Sequence, residues 1–119
     1  MTLVDTSVWV DHFRHGVDGL RVLLERGEVL CHPFIIGELA SGSIANRVEV
    51  LSLLRALPES MIADHDEAMH FLHERHLHGQ GVGWIDVHIL TSASLSKSKL
   101  WTRDHALKRA AEKMGIREG

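Results

Sequence analysis

Four acids in this chain stand where a carboxylate needs a reason. Asp5 closes the apolar stretch Thr2-Leu3-Val4, and Glu38 follows Phe34-Ile35-Ile36-Gly37. Asp86 lies between Ile85 and Val87, and Asp104 comes two residues after Leu100-Trp101-Thr102. Four carboxylates brought to one place repel one another unless a hard divalent cation neutralises them. Mg²⁺ and Mn²⁺ favour such oxygen ligands, keep several waters and reach out to a substrate phosphate. The competing reading is that each acid caps a helix or faces solvent. It is strongest for Asp104, because Asp is a favoured N-cap, and weaker for Asp5, which is followed by two good caps, Thr6 and Ser7. Their joint placement carries the argument, and that depends on the elements that hold them.

Those elements alternate. Thr2–Asp5 reads as a short buried strand running into a helix at Val8–Phe13 that Gly16 stops, and Asp18 opens a second helix ended by Gly27. Val29–His32 is a second strand, after which Pro33 suits the first turn of a helix that ends at Ser41-Gly42. Asn46 opens the next helix, with Val50, Leu53, Leu54 and Leu57 facing inward until Pro58 breaks it. Ser60–Ala63 is a weak third strand. Asp64 with Glu67 makes a capping-box start for a helix to about Leu77. Glycines 79, 81 and 83 lead into a helix carrying Val87, Leu90 and Ala93, then a strand at Leu100–Thr102 and a helix opened by Asp104 that Gly115 ends. Strands separated by helices imply parallel pairing. The expectation is an α/β fold, one domain over 1–119, with a small parallel sheet covered by helices on both faces. Asp5 and Asp104 then fall at the carboxyl ends of the strands, where open parallel sheets bind ligands, and Glu38 and Asp86 enter on helices from the same side.

These segments resemble a known family. Leu3-Val4-Asp5-Thr6-Ser7-Val8-Trp9 resembles the opening motif of the PIN-domain nucleases, in particular the toxins of VapBC-type toxin–antitoxin pairs. Gly37-Glu38-Leu39-Ala40-Ser41-Gly42 resembles the second acidic motif, and Trp84-Ile85-Asp86-Val87-His88-Ile89-Leu90 with Ala93 the third. Leu100-Trp101-Thr102-Arg103-Asp104, followed by Leu107 and Ala110, is similar to the fourth. The resemblance spans the chain in order. It implies a three-layer α/β/α sandwich with a central parallel sheet of four to five short strands, and a ribonuclease dependent on Mg²⁺ or Mn²⁺. It also implies an RNA substrate, a cognate VapB-type antitoxin and a homodimer. By the same resemblance Asp5, Glu38, Asp86 and Asp104 are the metal-binding acids, Asp5 and Asp86 ligating directly and Glu38 and Asp104 holding waters or a second ion. Thr6 or Ser7, and Thr102, orient a carboxylate or a metal-bound water. A housekeeping PIN nuclease and a non-catalytic PIN-like binding module are the alternatives. A phosphotransferase working through an aspartyl-phosphate would want a second Asp two residues after Asp5, where Ser7 stands.

Composition bounds the remaining possibilities. The 119 residues carry 13 Lys+Arg and 16 Asp+Glu, a net charge of −3, which excludes a strongly basic, histone-like nucleic-acid protein but not a local basic face. From Lys97 onward lie seven of the thirteen basic residues, and Lys97, Lys99 and Arg103 are the expected RNA contacts, against the plainer view of a solvated helix face. The single cysteine, Cys31, makes no internal disulfide. Asp5 and Asp11 interrupt the first apolar stretch, and no apolar run approaches the roughly 18 residues of a membrane helix, so the expected location is the cytoplasm with no membrane contact. Ten histidines are unusual for this length. His70, His73 and Glu74 share a helix face with the donor chemistry for zinc, but structural sites want four ligands and exposed histidines are commonly just solvated. His88 and His105 lie near site acids. Trp9, Trp84 and Trp101 carry the chemistry for base stacking, yet each sits in an apolar stretch that favours burial.

Overall fold

The apolar residues after Met1 form the centre of the sheet. Strand β1 (Thr2–Val4) is buried along its whole length between β2 (Val29–Leu30) and β3 (Lys99–Trp101), and is parallel to both. The computed structural model describes residues 1–119. Seven helices surround this sheet: α1 (Thr6–His15), α2 (Asp18–Glu25), α3 (Pro33–Ala40), α4 (Arg47–Arg55), α5 (His65–Glu74), α6 (Trp84–Ser96) and α7 (His105–Lys113). The step from β1 to β2 goes one way, and the step from β2 to β3 returns past β1 to the other edge. Right-handed crossovers in opposite directions place helices on both faces. The gap between β1 and β3 is therefore the point where the connections diverge, and its carboxyl end is the natural crevice.

The sheet has three strands rather than four to five. Beyond its edges the pairing shrinks to single bridges, Cys31 with Glu59 on one side and Leu100 with Glu118 on the other. The expected strand at Ser60–Ala63 thus starts a residue early and stops after one contact, because only the Cys31 N–H to Pro58 C=O and Ser60 N–H to Cys31 C=O bonds form, each 2.9 Å.

The core joins Leu3 and Val4 to Val8, Leu20, Ile35, Ile89, Leu90 and Leu107, none of them measurably exposed. Helix α6 is buried continuously from Val87 to Ala93, so it is the spine against which the sheet and α5 pack. One inward assignment is wrong. On α4 the core takes Leu51 and Leu54, while Leu53 is 63% exposed. The apolar stripe is wider than the core needs, and its surplus faces a cleft beside α1. No helix is long and apolar enough to cross a membrane.

The helix starts follow side-chain chemistry. Asp64 accepts the Glu67 N–H at 2.8 Å while the Glu67 carboxylate accepts the Asp64 N–H at 3.1 Å, the expected capping box. Replacing Asp64 with Ala is expected to cost about 1 kcal/mol, read as a lowered midpoint in urea unfolding with an unchanged slope. At α1 the cap is Asp5, not Thr6 or Ser7. Gly81 has φ +79° and stands where a Cβ would approach Ala106 Cβ to 3.3 Å, so the loop into α6 passes close against α7.

Candidate active site

Asp5 is 7% exposed, and one of its oxygens is heavily engaged. Oδ2 accepts from Ser7 Oγ at 2.7 Å and from Thr102 Oγ1 at 2.8 Å, with the Ser7 N–H farther off at 3.4 Å. Each hydroxyl has one proton, which goes to Asp5, so each uses a lone pair toward the end of β3. Ser7 Oγ accepts the Arg103 N–H at 3.0 Å, and Thr102 Oγ1 accepts the Asp104 N–H at 3.1 Å. Two backbone N–H groups thus polarise two hydroxyls, and both hydroxyls clamp one carboxylate oxygen.

The other three acids repeat the pattern. Glu38 Oε1 accepts from Thr6 Oγ1 at 2.7 Å, Asp86 Oδ2 from the Gly83 N–H at 3.3 Å, and Asp104 Oδ1 from the Leu107 N–H at 2.9 Å. In each of the four, one oxygen is held by the protein and the other has no protein hydrogen bond. No Lys or Arg pairs with any of them, since the three ion pairs use Asp18, Asp11 and Glu118. Asp86 registers the resulting field. Burial raises its pKa, the Gly83 N–H opposes this, and the charges of Asp5, Asp104 and Glu38 raise it further.

A divalent cation suits this donor set: carboxylate oxygens only, pre-oriented, like-charged and without a protein cation. As they stand, no trio of His, Cys, Asp or Glu is drawn tightly enough together to hold an ion by itself. A small hard cation that keeps most of its waters needs only one or two direct carboxylates, with the rest bonding through those waters.

The other expected residues divide. Thr6, Ser7 and Thr102 each orient a carboxylate. Arg103 lies at the site, its guanidinium paired with Asp11 at 3.2 Å. Lys97 and Lys99 do not reach it. Lys99 pairs in register with Thr2 at the amino end of the sheet, and Lys97 ends α6 on that side, whereas Asp5 and Thr102 follow the carboxyl ends. Parallel strands put the two ends about a strand length apart, roughly 10 Å, so these two lysines stand away from the acids. His70, His73 and His105 are exposed, and His88 is buried. Trp9 is buried and Trp101 half-buried, but Trp84 is 39% exposed, as is Phe34 at 40%. Phe34 was not singled out by sequence; its spacing of four from Glu38, which sets both on one face of α3, was the available signal.

The parallel sheet, the order of the acids along it and the one-sided clamping of each define a class, and the chain belongs to the PIN-domain family, whose model matches residues 2–113. It is similar to Ribonuclease VapC32 of Mycobacterium tuberculosis, in two strains, at 44% identity over 117 residues, covering 98% of this chain and 94% of the relative. Among solved structures it is similar to the crystal structure of PAE2754 from Pyrobaculum aerophilum, with a TM-score of 0.64 at 19% identity over 98% of this chain and 82% of that one, a likeness of fold.

Proposed function

We propose that the chain is an endoribonuclease dependent on Mg²⁺ or Mn²⁺, the toxin half of a type II toxin–antitoxin pair, acting in the cytoplasm. The observation that carries this reading is the set of four carboxylates with one oxygen fixed and one free, beside the strand ends. Its supports are the family and the likeness to a protein named as a VapC ribonuclease.

Asp5 and Asp86 are the direct ligands in this reading, and Glu38 and Asp104 hold water. When bound, the cation supplies a more acidic water and a Lewis acid for the scissile phosphate. Asp5 keeps a fixed direction because Ser7 and Thr102 hold its other oxygen, so its free Oδ1 loses little freedom on engagement. One of the four carboxylates receives the proton of the attacking water. Water attacking in line at phosphorus leaves a 5′-phosphate and a 3′-hydroxyl.

The antitoxin belongs to the same reading. A cleft of about 940 Å³ runs between α1, α3 and α4, lined by Trp9, Phe13, Leu39, Val50 and Leu53 among others, and Thr6 and Glu38 also line it. An apolar segment of the VapB-type partner laid in this cleft comes within reach of the acids. The homodimer uses the exposed remainder of the same helices.

The deciding experiment incubates the purified protein with single-stranded RNA. Cleavage with Mg²⁺ or Mn²⁺, its loss in EDTA, and products bearing a 5′-phosphate are expected. Cleavage undiminished by EDTA overturns the metal-dependent reading.

A further inference from the structure

On the two helices that supply Glu38 and Asp86 stands a group of rings that the acidic site leaves unused. Phe34, one turn before Glu38 on α3, and Trp84, at the start of the helix that carries Asp86, both pack against His88. Their centroids lie 4.9 Å and 4.7 Å from the imidazole at interplanar angles of 69° and 89°. Edge-on contacts of this kind fix ring orientation through the quadrupoles. His32 stands behind Phe34 at 5.2 Å, and His65 lies against Trp84 at 5.2 Å. His88 is 5% exposed, and its buried Nδ1 has no partner. The imidazole is the floor of the group, and Phe34 and Trp84 are walls that keep two-fifths of their surface in solvent.

Large aromatic surface exposed on two helices is costly in water, and these rings are not filling the core. They pack on a common imidazole, and they sit on the two helices that supply Glu38 and Asp86. We propose that Phe34 and Trp84 form a stacking subsite for an unpaired nucleobase of the RNA, next to the bond to be cut. The inference rests on the ribonuclease reading and adds to it a seat for one base of the substrate. A base has a π-face whatever its identity, so this subsite selects for an unstacked base rather than a sequence. A paired base in a helix keeps its faces covered by its neighbours and cannot enter.

The test measures binding of a short oligoadenylate, with Ca²⁺ replacing Mg²⁺, to the unaltered protein and to Trp84→Phe, Trp84→Leu and Phe34→Leu. The leucine variants keep apolar volume over His88 and remove the π-face. Each is expected to bind oligoadenylate about ten-fold more weakly, while Trp84→Phe binds like the unaltered protein. A ribose-phosphate chain of the same length without bases is expected to bind all four proteins equally. The quenching of tryptophan fluorescence by oligoadenylate should vanish in Trp84→Leu, although Trp9 and Trp101 remain. Equal binding of oligoadenylate by the leucine variants and the unaltered protein overturns the subsite, as does an equal loss on the baseless chain or no binding of oligoadenylate at all. Cleavage of RNA by the unaltered protein with Mg²⁺ is scored separately. Cleavage without the stacking pattern removes the subsite and leaves the nuclease, and the stacking pattern without cleavage does the reverse.

Discussion

Asp86→Asn is expected to slow RNA cleavage severely and at the same time to raise the thermal midpoint of the metal-free protein. The two effects have one cause. Asp86 is ionised at a cost, because burial and the charges of Asp5, Asp104 and Glu38 all push its pKa up. An amide relieves that repulsion, and its carbonyl still accepts the Gly83 N–H that Asp86 Oδ2 accepts at 3.3 Å. The amide also removes a charge from the site. Loss of a charged group that stabilises a phosphoryl transition state is worth several kcal/mol, so cleavage should fall by roughly two to three orders of magnitude. Asp5→Asn should lose activity similarly but move stability the other way. Asp5 Oδ2 is the acceptor for Ser7 Oγ and Thr102 Oγ1, and hydrogen bonds to a charged group contribute about 1.5–3 kcal/mol. Cleavage assays beside thermal melts of both variants separate the pair. Midpoints falling equally in both would show that Asp86 is not under repulsion, and persistent cleavage in both would place the reactive centre elsewhere.

Acidification from pH 7 to about 4.5 is expected to remove much of the fold's stability through one imidazole. His32 is 1% exposed and caps α3, its Nδ1 accepting the Phe34 N–H at 2.9 Å. Burial above all, with the nearby charge of His88, lowers its pKa from 6.5 to about 4. Between those values the unfolded chain holds the proton and the folded chain does not, so stability falls as pH falls through this window. A shift of that size corresponds to about 3 kcal/mol at its limit. The geometry supports the direction: a proton on Nδ1 would break the cap and set a positive charge at a helix amino terminus. His88 and His12 are lowered too and add with the same sign. Asp86, raised in the fold, acts oppositely as it protonates. His32→Asn keeps a cap acceptor for α3 and does not titrate. Urea unfolding at pH 7 and 4.5 should therefore show a smaller stability difference in that variant than in the unaltered protein. An equal difference would mean that His32 is not the group responsible.

The sequence made the site more legible than the sheet. Asp5, Glu38, Asp86 and Asp104 were readable because each interrupts an apolar pattern or opens a helix, and local pattern survives folding. The same was true of the Asp64 cap and of Thr6, Ser7 and Thr102 as hydroxyls beside acids. What failed was non-local. Strand pairing at residues 58–60 depends on how far β2 can extend its ladder, and no local feature says that it stops after one bridge. Lys97 and Lys99 are near Arg103 in sequence, yet three residues of strand carry them to the opposite end of the sheet. Leu53 belongs to a helical apolar stripe whose excess width is visible only once α1 lies beside it. Trp84 looked like core because its neighbours Ile85 and Val87 are apolar, but at the first turn of α6 the ring lies outside the packed face.

The clamp on Asp5 joins residues that the ribosome makes far apart in time. Thr102, Arg103 and Asp104 are made almost a hundred residues after Asp5 and Ser7. The central strand likewise gains its β3 neighbour only when residues 99–101 arrive. At about 5–20 residues per second, synthesis leaves several seconds during which the first acid has no fixed direction and the fourth does not exist. Pairing over such a separation is also slow to nucleate. The carboxylate that opens the acidic set is thus aimed only once the segment 102–104 has been made and has folded back onto it.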